Sequence, residues 1–362
     1  MQELVLSRCG IEDIRPNTFA DLVNLRRLDL RFNRIVALSP STFRGPVGLE
    51  YLLLSNNPIA ELGDRSLQGL SAQRLVFSDS PSLVNLVSPT AFADSTVVSL
   101  VFARCNLTRV AARVWSSGTA LKELEIVDNL QPLNLDADAF VGLQLRRLLL
   151  VNDGLVSTEF LQSGDFDEIE LDGNPLKTIT VDPRVGDANT TRSPRLLTTK
   201  ILSLEGMAMS DLDSNQFSSF PDLEDLDLSG NGISGIVDVR TVFSGLDVLV
   251  RLDLSDNHIE GFAVKDEADL APMFPQLENL ALDGNRLRTF AEPSFGSLFR
   301  RLKNLTLANN PLHCNCELRW LADWIATPEC PPDVRDDNPT LPCHTPPGND
   351  TDQQPDFQVG EP

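Results

Sequence analysis

A nine-residue phrase recurs along this chain: leucine, two variable residues, leucine, one variable residue, leucine, two variable residues, asparagine. It reads LRRLDLRFN at 25–33, LEYLLLSNN at 49–57, LEDLDLSGN at 223–231, LVRLDLSDN at 249–257, LENLALDGN at 277–285 and LKNLTLANN at 302–310. A fixed period constrains architecture more than any other feature, because each copy is one supersecondary unit that must stack on the next to bury its apolar side. Anchored on the second leucine-type position, the copies fall at Leu4, Leu28, Leu52, Leu75, Leu100, Leu124, Leu148, Ile169, Leu202, Leu226, Leu252, Leu280 and Leu305. Most steps are close to 24 residues; one, between Ile169 and Leu202, stretches to 33.

The spacing dictates local structure. In LxLxxN the two leucines lie two apart and face one side of a strand, with the residues between them facing the other. Successive strands are expected to lie parallel, leucines inward. An apolar residue seven after the anchor (Ile35, Ile59, Leu107, Leu155, Ile233, Ile259 and their equivalents) packs beneath, and aromatics such as Phe19, Phe43, Trp115, Phe140, Phe217 and Phe295 fill the returning segments. Thirteen layers far exceed the roughly three that such a stack needs. The asparagine sits where the chain turns, and its carboxamide offers two donors and an acceptor to backbone groups that would otherwise lack partners. Its column departs from Asn most at Ser80, Cys105 and Met207, so copies four, five and nine are expected to be loosest.

Charge narrows the function. The chain of 362 residues carries a formal net charge of −22 and a pI of about 4.4, the reverse of a nucleic-acid footprint. No stretch reaches the ~18 apolar residues of a membrane span. Met1 falls inside a repeat with no signal peptide before it. This predicts a fragment lacking an N-terminal cap, prone to associate through the open layer of Leu4, Leu6 and Ile11. Cys9 and Cys105 occupy ladder positions four copies apart, about 20 Å at ~5 Å per strand, too far for a bridge, and are expected to be buried unpaired thiols.

The last copy runs into Asn310-Pro311-Leu312-His313-Cys314-Asn315-Cys316, followed by Leu318, Trp320, Leu321 and Trp324. This motif resembles the C-terminal cysteine-flanking cap of extracellular leucine-rich repeat proteins, among them Toll-like receptors, Slit proteins, the Nogo receptor and variable lymphocyte receptors. The fold expected is α/β: a leucine-rich repeat solenoid, a curved horseshoe with its parallel sheet on the concave face, closed by a small disulfide-linked cap. The division expected is about thirteen repeats over 1–312, a cap over 313–344 and a disordered tail over 345–362. The intervals from Cys316 to Cys330 and from Cys330 to Cys343 are shorter than the family pattern, which implies a trimmed cap. Four cysteines allow three pairings; the resemblance implies Cys314–Cys330 and Cys316–Cys343. A zinc site is disfavoured by the absence of paired CxxC knuckles. Disulfides imply an oxidising compartment, and four N-x-S/T triplets, at Asn106, Asn189, Asn304 and Asn349, are candidate glycosylation sites. Asn189 lies in the insertion at roughly 177–198.

Catalytic chemistry is not in evidence. His258, His313 and His344 have no metal-ligand spacing, and there is no nucleophile elbow, phosphate loop or dinucleotide fingerprint. No cofactor or metal is expected, and no enzyme. Ser163-Gly164, flanked by acids, resembles a glycosaminoglycan attachment site but is also an ordinary turn signal.

Function then falls to the outward positions of the concave sheet, which carry no packing duty. Copies two to seven combine apolar, aromatic and basic residues, and these give the candidate ligand-binding set Arg27, Phe32, Tyr51, Leu53, Arg74, Val76, Val101 and Arg147. Copies eight to twelve are acidic: Asp167, Glu168, Glu170, Glu224, Asp225, Asp227 and Asp253. The reading is a non-catalytic extracellular or cell-surface recognition module, a receptor or adhesion ectodomain binding a protein or glycan rather than nucleic acid. It is membrane-tethered, if at all, through sequence outside this chain. The alternative is a secreted structural protein of the extracellular matrix.

Overall fold

The computed structural model describes residues 1–115, 120–181, 196–235, 238–265, 268–313 and 318–337. The chain forms two compact units, Met1–Thr199 and Lys200–Pro362.

In the first unit the strands are β1 (Glu3–Val5), β2 (Arg27–Asp29), β3 (Leu49–Leu53), β4 (Ser71–Ser78), β5 (Asn85–Leu86), β6 (Thr96–Ala103), β7 (Arg109–Val110), β8 (Glu123–Val127), β9 (Asn134–Leu135), β10 (Gln144–Val151) and β11 (Asp165–Glu170). Eight of them form one parallel sheet in the order β1-β2-β3-β4-β6-β8-β10-β11. The register places anchor against anchor: Leu4 on Leu28, Leu28 on Leu52, Leu52 on Leu75, Leu75 on Leu100, and so on to Leu148 on Ile169. In the second unit β12 (Ile201–Ser203), β13 (Asp225–Asp227), β14 (Arg251–Asp253), β15 (Asn279–Ala281) and β16 (Asn304–Thr306) pair in parallel in the same way, Leu202 to Leu226, Leu252, Leu280 and Leu305. All thirteen anchors therefore lie on strands at the expected position.

The leucines, the residues seven beyond them and the aromatics make the core. Leu28, Leu52, Leu75, Leu100, Ile35 and Ile59 are fully buried, and the Phe19 and Phe43 rings stack 6.1 Å apart, as Phe217 and Phe243 do at 6.0 Å. Aromatic stacks of this kind repeat because each copy offers its ring at one height, so the ring faces meet layer upon layer. Short β5, β7 and β9 pair into a second, three-stranded parallel sheet that the sequence pattern did not announce. Helices are brief, and among the described residues the α-helices are in the second unit: α1 (Val239–Val242), α2 (Glu292–Phe299), α3 (Arg319–Ile325) and α4 (Pro332–Asp337). In the cap, Trp320 on α3 donates its Nε1–H to the Phe290 carbonyl at 3.1 Å and packs its ring on Phe299, 5.9 Å between centroids. Leu321 and Trp324 are buried beside it.

The ladder works as its chemistry requires. Asn57 Nδ2 donates to Leu54 O at 2.9 Å and to Leu30 O of the preceding copy at 3.0 Å, while its Oδ1 accepts from Ile35 N at 3.1 Å. Asn231, Asn257, Asn285 and Asn310 each donate to the equivalent pair of carbonyls. Cys105 imitates the arrangement weakly, its thiol 3.6 Å from Phe77 O. Cys105 is buried, as expected, and burial pushes its thiol up to about 11. Cys9 corrects the expectation: it is an exposed free thiol, because it belongs to the first layer, where Leu4, Leu6 and Ile11 are themselves only half-buried.

Ser163 is buried, accepts from Phe140 N at 3.1 Å and donates to Phe160 O at 2.7 Å, so the Ser-Gly pair is a structural turn. A Cβ at Gly164 would lie 2.6 Å from the Phe166 ring.

Candidate recognition surface

Strand alternation puts two rows of side chains on the solvent face of the first unit. One row is Glu3, Arg27, Tyr51, Arg74, Ser99, Glu123, Arg147 and Glu168; the next is Val5, Asp29, Leu53, Val76, Val101, Glu125, Leu149 and Glu170. Tyr51 is 45% exposed and Val5 55%, while Leu53 and Val76 are half-buried among their neighbours. On β1 to β4 Val5, Tyr51, Leu53 and Val76 make a partly exposed apolar and aromatic surface, interrupted on β2 by Arg27 and the buried Asp29.

Two of the expected site residues behave differently from the expectation. Val101 is only 5% exposed and is not available to a ligand. The cause is Arg74, whose side chain crosses β6 to reach Glu125 on β8. Its guanidinium meets both carboxylate oxygens at 3.0 Å and Ser99 Oγ at 3.2 Å, and Ser99 is buried too. A long side chain laid across a strand covers the short ones beneath it. Phe32 lies in the turn after β2 rather than on the strand, 43% exposed, with the Arg8 guanidinium 4.8 Å over its ring.

The arginines are also less free than their spacing suggested. Arg27 faces Glu3 at 3.4 Å, and Arg147 reaches Glu168 at 2.8 Å and Glu170 at 2.5 Å. Arg31 grips Asp29 through Nε at 3.0 Å and Nη2 at 2.7 Å, which holds the Asp29 carboxyl below its usual range. The basic and acidic zones read from sequence are thus partly one network, in which each of these arginines serves a carboxylate on its own or a nearby copy.

Several of the acids have a local task as well. Asp29, Asp227 and Asp253, each between the two ladder leucines, accept from the backbone N–H two residues on, at 3.1, 2.9 and 3.0 Å. They cap the turn that leaves the strand, as Asp side chains do. In the second unit, burial together with Asp227 and Asp253 raises Asp225 despite the opposing influence of Arg251.

One recurring backbone position goes beyond the leucine and asparagine pattern. The residue before each ladder position has a left-handed backbone in every copy, with φ from 51° to 67°. The occupants are mostly Gly, Asn and Asp, the residues that tolerate this region. Phe32 is the exception that stands out, an aromatic at φ 58°. The signal is present in the sequence as the GN, DN and NN dipeptides that end many copies.

Of the candidate glycosylation sites, Asn106 and Asn304 are half-buried; Thr108 Oγ1 donates to Val84 O at 3.3 Å, and Asn304 Nδ2 donates to Asn279 Oδ1 at 2.6 Å. Asn189 and Asn349 lie outside the described residues, as do Cys314, Cys316, Cys343 and the tail 345–362. Cys330 is buried in the cap and carries a free thiol here. Among the described residues no group of three or more His, Cys, Asp and Glu is placed to hold a metal ion, and no helix is long and apolar enough to cross a membrane.

The family model for leucine rich repeats matches residues 1–59 and 198–259. Human vasorin is 34% identical over 154 residues, covering 41% of this chain and 20% of its own length. Toll, in the structure of the Toll–Spatzle complex described as a hub in Drosophila development and innate immunity, superposes with a TM-score of 0.67 at 22% identity, over 86% of this chain and 42% of that one. The TLR13 chain of a TLR13–ssRNA13 complex gives a TM-score of 0.65 at 22% identity, over 91% and 50%. The chain spans a fifth of vasorin and half or less of these two receptors. Its two units are stacks of leucine-rich repeats, and the chain folds as a leucine-rich repeat solenoid that resembles Toll and the Toll-like receptors.

Proposed function

We propose that this chain is the non-catalytic recognition part of an extracellular or cell-surface receptor or adhesion protein, and that it binds a protein ligand on the solvent face of β1 to β4. The observation that carries the reading is the surface formed by Val5, Phe32, Tyr51, Leu53 and Val76. Apolar and aromatic side chains stand there at positions the stack does not use, and partly exposed apolar groups clustered on one face mark a candidate interaction site. Tyr51 and Phe32 are the aromatic anchors, residues of the type that dominates interface hot spots. Arg27, Arg74 and Arg147 hold the surrounding carboxylates in place and frame the contact. Likeness to Toll in a complex with the protein Spatzle supports a protein ligand. The charge of −22 and the engagement of these arginines with acids argue against a nucleic-acid ligand on this face. The cap is held by Cys314–Cys330 and Cys316–Cys343 once the protein has passed an oxidising compartment, and glycans occupy some of the four N-x-S/T sites.

The test uses an array of purified extracellular protein domains probed with the multimerised chain, its Val76→Glu variant and a Val156→Glu control, Val156 being 79% exposed and outside the two rows. The reading expects a binder that Val76→Glu loses and Val156→Glu keeps. Binders retained by Val76→Glu, or lost equally by both variants, would place recognition elsewhere.

A further inference from the structure

We infer that the partner of this face is a cationic protein segment that lies extended across the strands, with an apolar side chain on the Leu53–Val76 surface and a lysine or arginine three to six residues further along. The inference rests on the reading of β1 to β4 as the recognition surface and adds the chemistry of its occupant.

The argument is one of charge complementarity around an apolar patch. Beyond the patch, the two rows carry Glu123 and Glu125 on β8 and Glu168 and Glu170 on β11, with Arg147 and Leu149 on β10 between them. Against these four carboxylates stand two guanidiniums, Arg74 reaching Glu125 and Arg147 reaching Glu168 and Glu170. Arg147 is shared by two acids, and burial together with the neighbouring Glu170 holds Glu168 above its ordinary range. Like charges crowded in a half-buried site are relieved by an added cation and aggravated by an added anion. The arginines that would attract an acidic ligand are therefore already engaged, while the carboxylates beyond the apolar patch outnumber their partners. The field of the whole chain, with 52 acidic against 30 basic residues, steers in the same sense.

Strand spacing sets the distance. β8 is two strands from β4, about 10 Å, and β11 is four strands away, about 19 Å, at ~4.8 Å per strand. A segment in the extended polyproline II conformation advances about 3.1 Å per residue and returns its side chains to one face every three residues, so an apolar residue seated at Val76 brings a side chain three residues on over Glu123 and Glu125 and one six residues on over Glu168 and Glu170. A segment running across the strands cannot add to the sheet, so side chains rather than backbone hydrogen bonds would carry the recognition, and salt would weaken it.

The experiment selects binders from a random peptide library displayed on phage, using the intact folded chain, and tests each enriched peptide on Val76→Glu and Glu123→Gln, with circular dichroism to confirm folding. The expected peptides are net cationic, carry an apolar residue three to six positions before a lysine or arginine, fail on Val76→Glu and weaken by up to about fivefold on Glu123→Gln, the range of one exposed ion pair. Raising the salt from low to high should weaken them further. Neutral or acidic peptides that fail on Val76→Glu would overturn the charge inference while leaving the recognition surface in place. Peptides that bind Val76→Glu unchanged would remove the surface itself. No enrichment above an unrelated control protein would overturn the inference.

Discussion

Asp153 occupies a ladder position where most copies place asparagine, and its replacement by asparagine tests the physics of the ladder. Asp153 is buried. One of its oxygens accepts from Asn129 N at 3.1 Å, and the other, Oδ2, has no hydrogen-bond partner. In neighbouring copies the carboxamide NH2 donates to the carbonyl three residues back and to its counterpart one copy earlier, as Asn174 does to Leu171 O and Leu150 O at 2.6 Å each. A carboxylate has no hydrogen to offer there, and a carboxylic acid only one. Burial, the dominant cause, pushes the Asp153 carboxyl up to about 8, with Asp128 adding to the rise. The unfolded chain ionises near the ordinary value of 3.8. Between these two values the folded state holds a proton that the unfolded state has released, so Asp153 lowers stability progressively as pH rises from about 4 to about 8, and imposes no such penalty below that window. At about 1.4 kcal/mol per pH unit the difference amounts to about 4 kcal/mol at pH 7 and about 2 kcal/mol at pH 5. Asp153→Asn removes it and supplies the second donor, adding about 1 kcal/mol at any pH. Urea unfolding of the two proteins, followed by circular dichroism at pH 5, 6 and 7, isolates the effect, because titrating groups that do not touch Asp153 cancel in the comparison. The stabilisation by Asp153→Asn should grow with pH. A pH-independent difference, or destabilisation by the asparagine, would refute the reasoning.

Phe32→Asn should stabilise the first unit by about 0.5–1 kcal/mol in the same assay, since relief of the left-handed aromatic, about 1–2 kcal/mol, exceeds the loss of the Arg8 stack, about 0.5–1 kcal/mol. It should also weaken any ligand of the β1–β4 face, as expected of strain kept at a functional position. Iodoacetamide at pH 8 should alkylate Cys9 in the folded protein and reach Cys105 only after denaturation, as mass spectrometry of tryptic peptides would show. Protein secreted from cells should yield Cys314–Cys330 and Cys316–Cys343 on non-reducing peptide mapping; free thiols at these positions would contradict the cap assignment. Trp320→Phe should cost about 1–3 kcal/mol by leaving the buried Phe290 carbonyl without its donor, measured by urea unfolding.

The repeat was legible because its constraint is periodic. A leucine every other position, recurring near every 24 residues, fixes which side chains face inward and which strand meets which, and all thirteen anchors paired as spaced within the two units. The carboxamide ladder was legible for the same reason. The surface was legible only in part. Alternation says that Val101 points away from the leucines, but not that Arg74, one strand over, will lie across it to reach Glu125. Nor does it say that Asp29, Asp227 and Asp253 spend a carboxylate oxygen on the backbone two residues ahead. Such pairings depend on side-chain reach between copies, which a one-copy pattern does not encode. The left-handed residue before each ladder position was written in the sequence as a preference for Gly, Asn and Asp. The short β5–β7–β9 sheet had no such marker, because two-residue strands carry too little alternation to register. Cys9 is exposed where Cys105 is buried, because its layer, with Leu4, Leu6 and Ile11, is itself only half-buried, which the ladder pattern does not encode.

The most direct test of the recognition surface is proximity. A photo-reactive p-benzoyl-phenylalanine in place of Tyr51, and separately in place of Val156, is irradiated with a binder identified on the extracellular protein array. Crosslinking from position 51 and none from position 156 is the predicted result. Crosslinking from 156 with none from 51 would contradict the account.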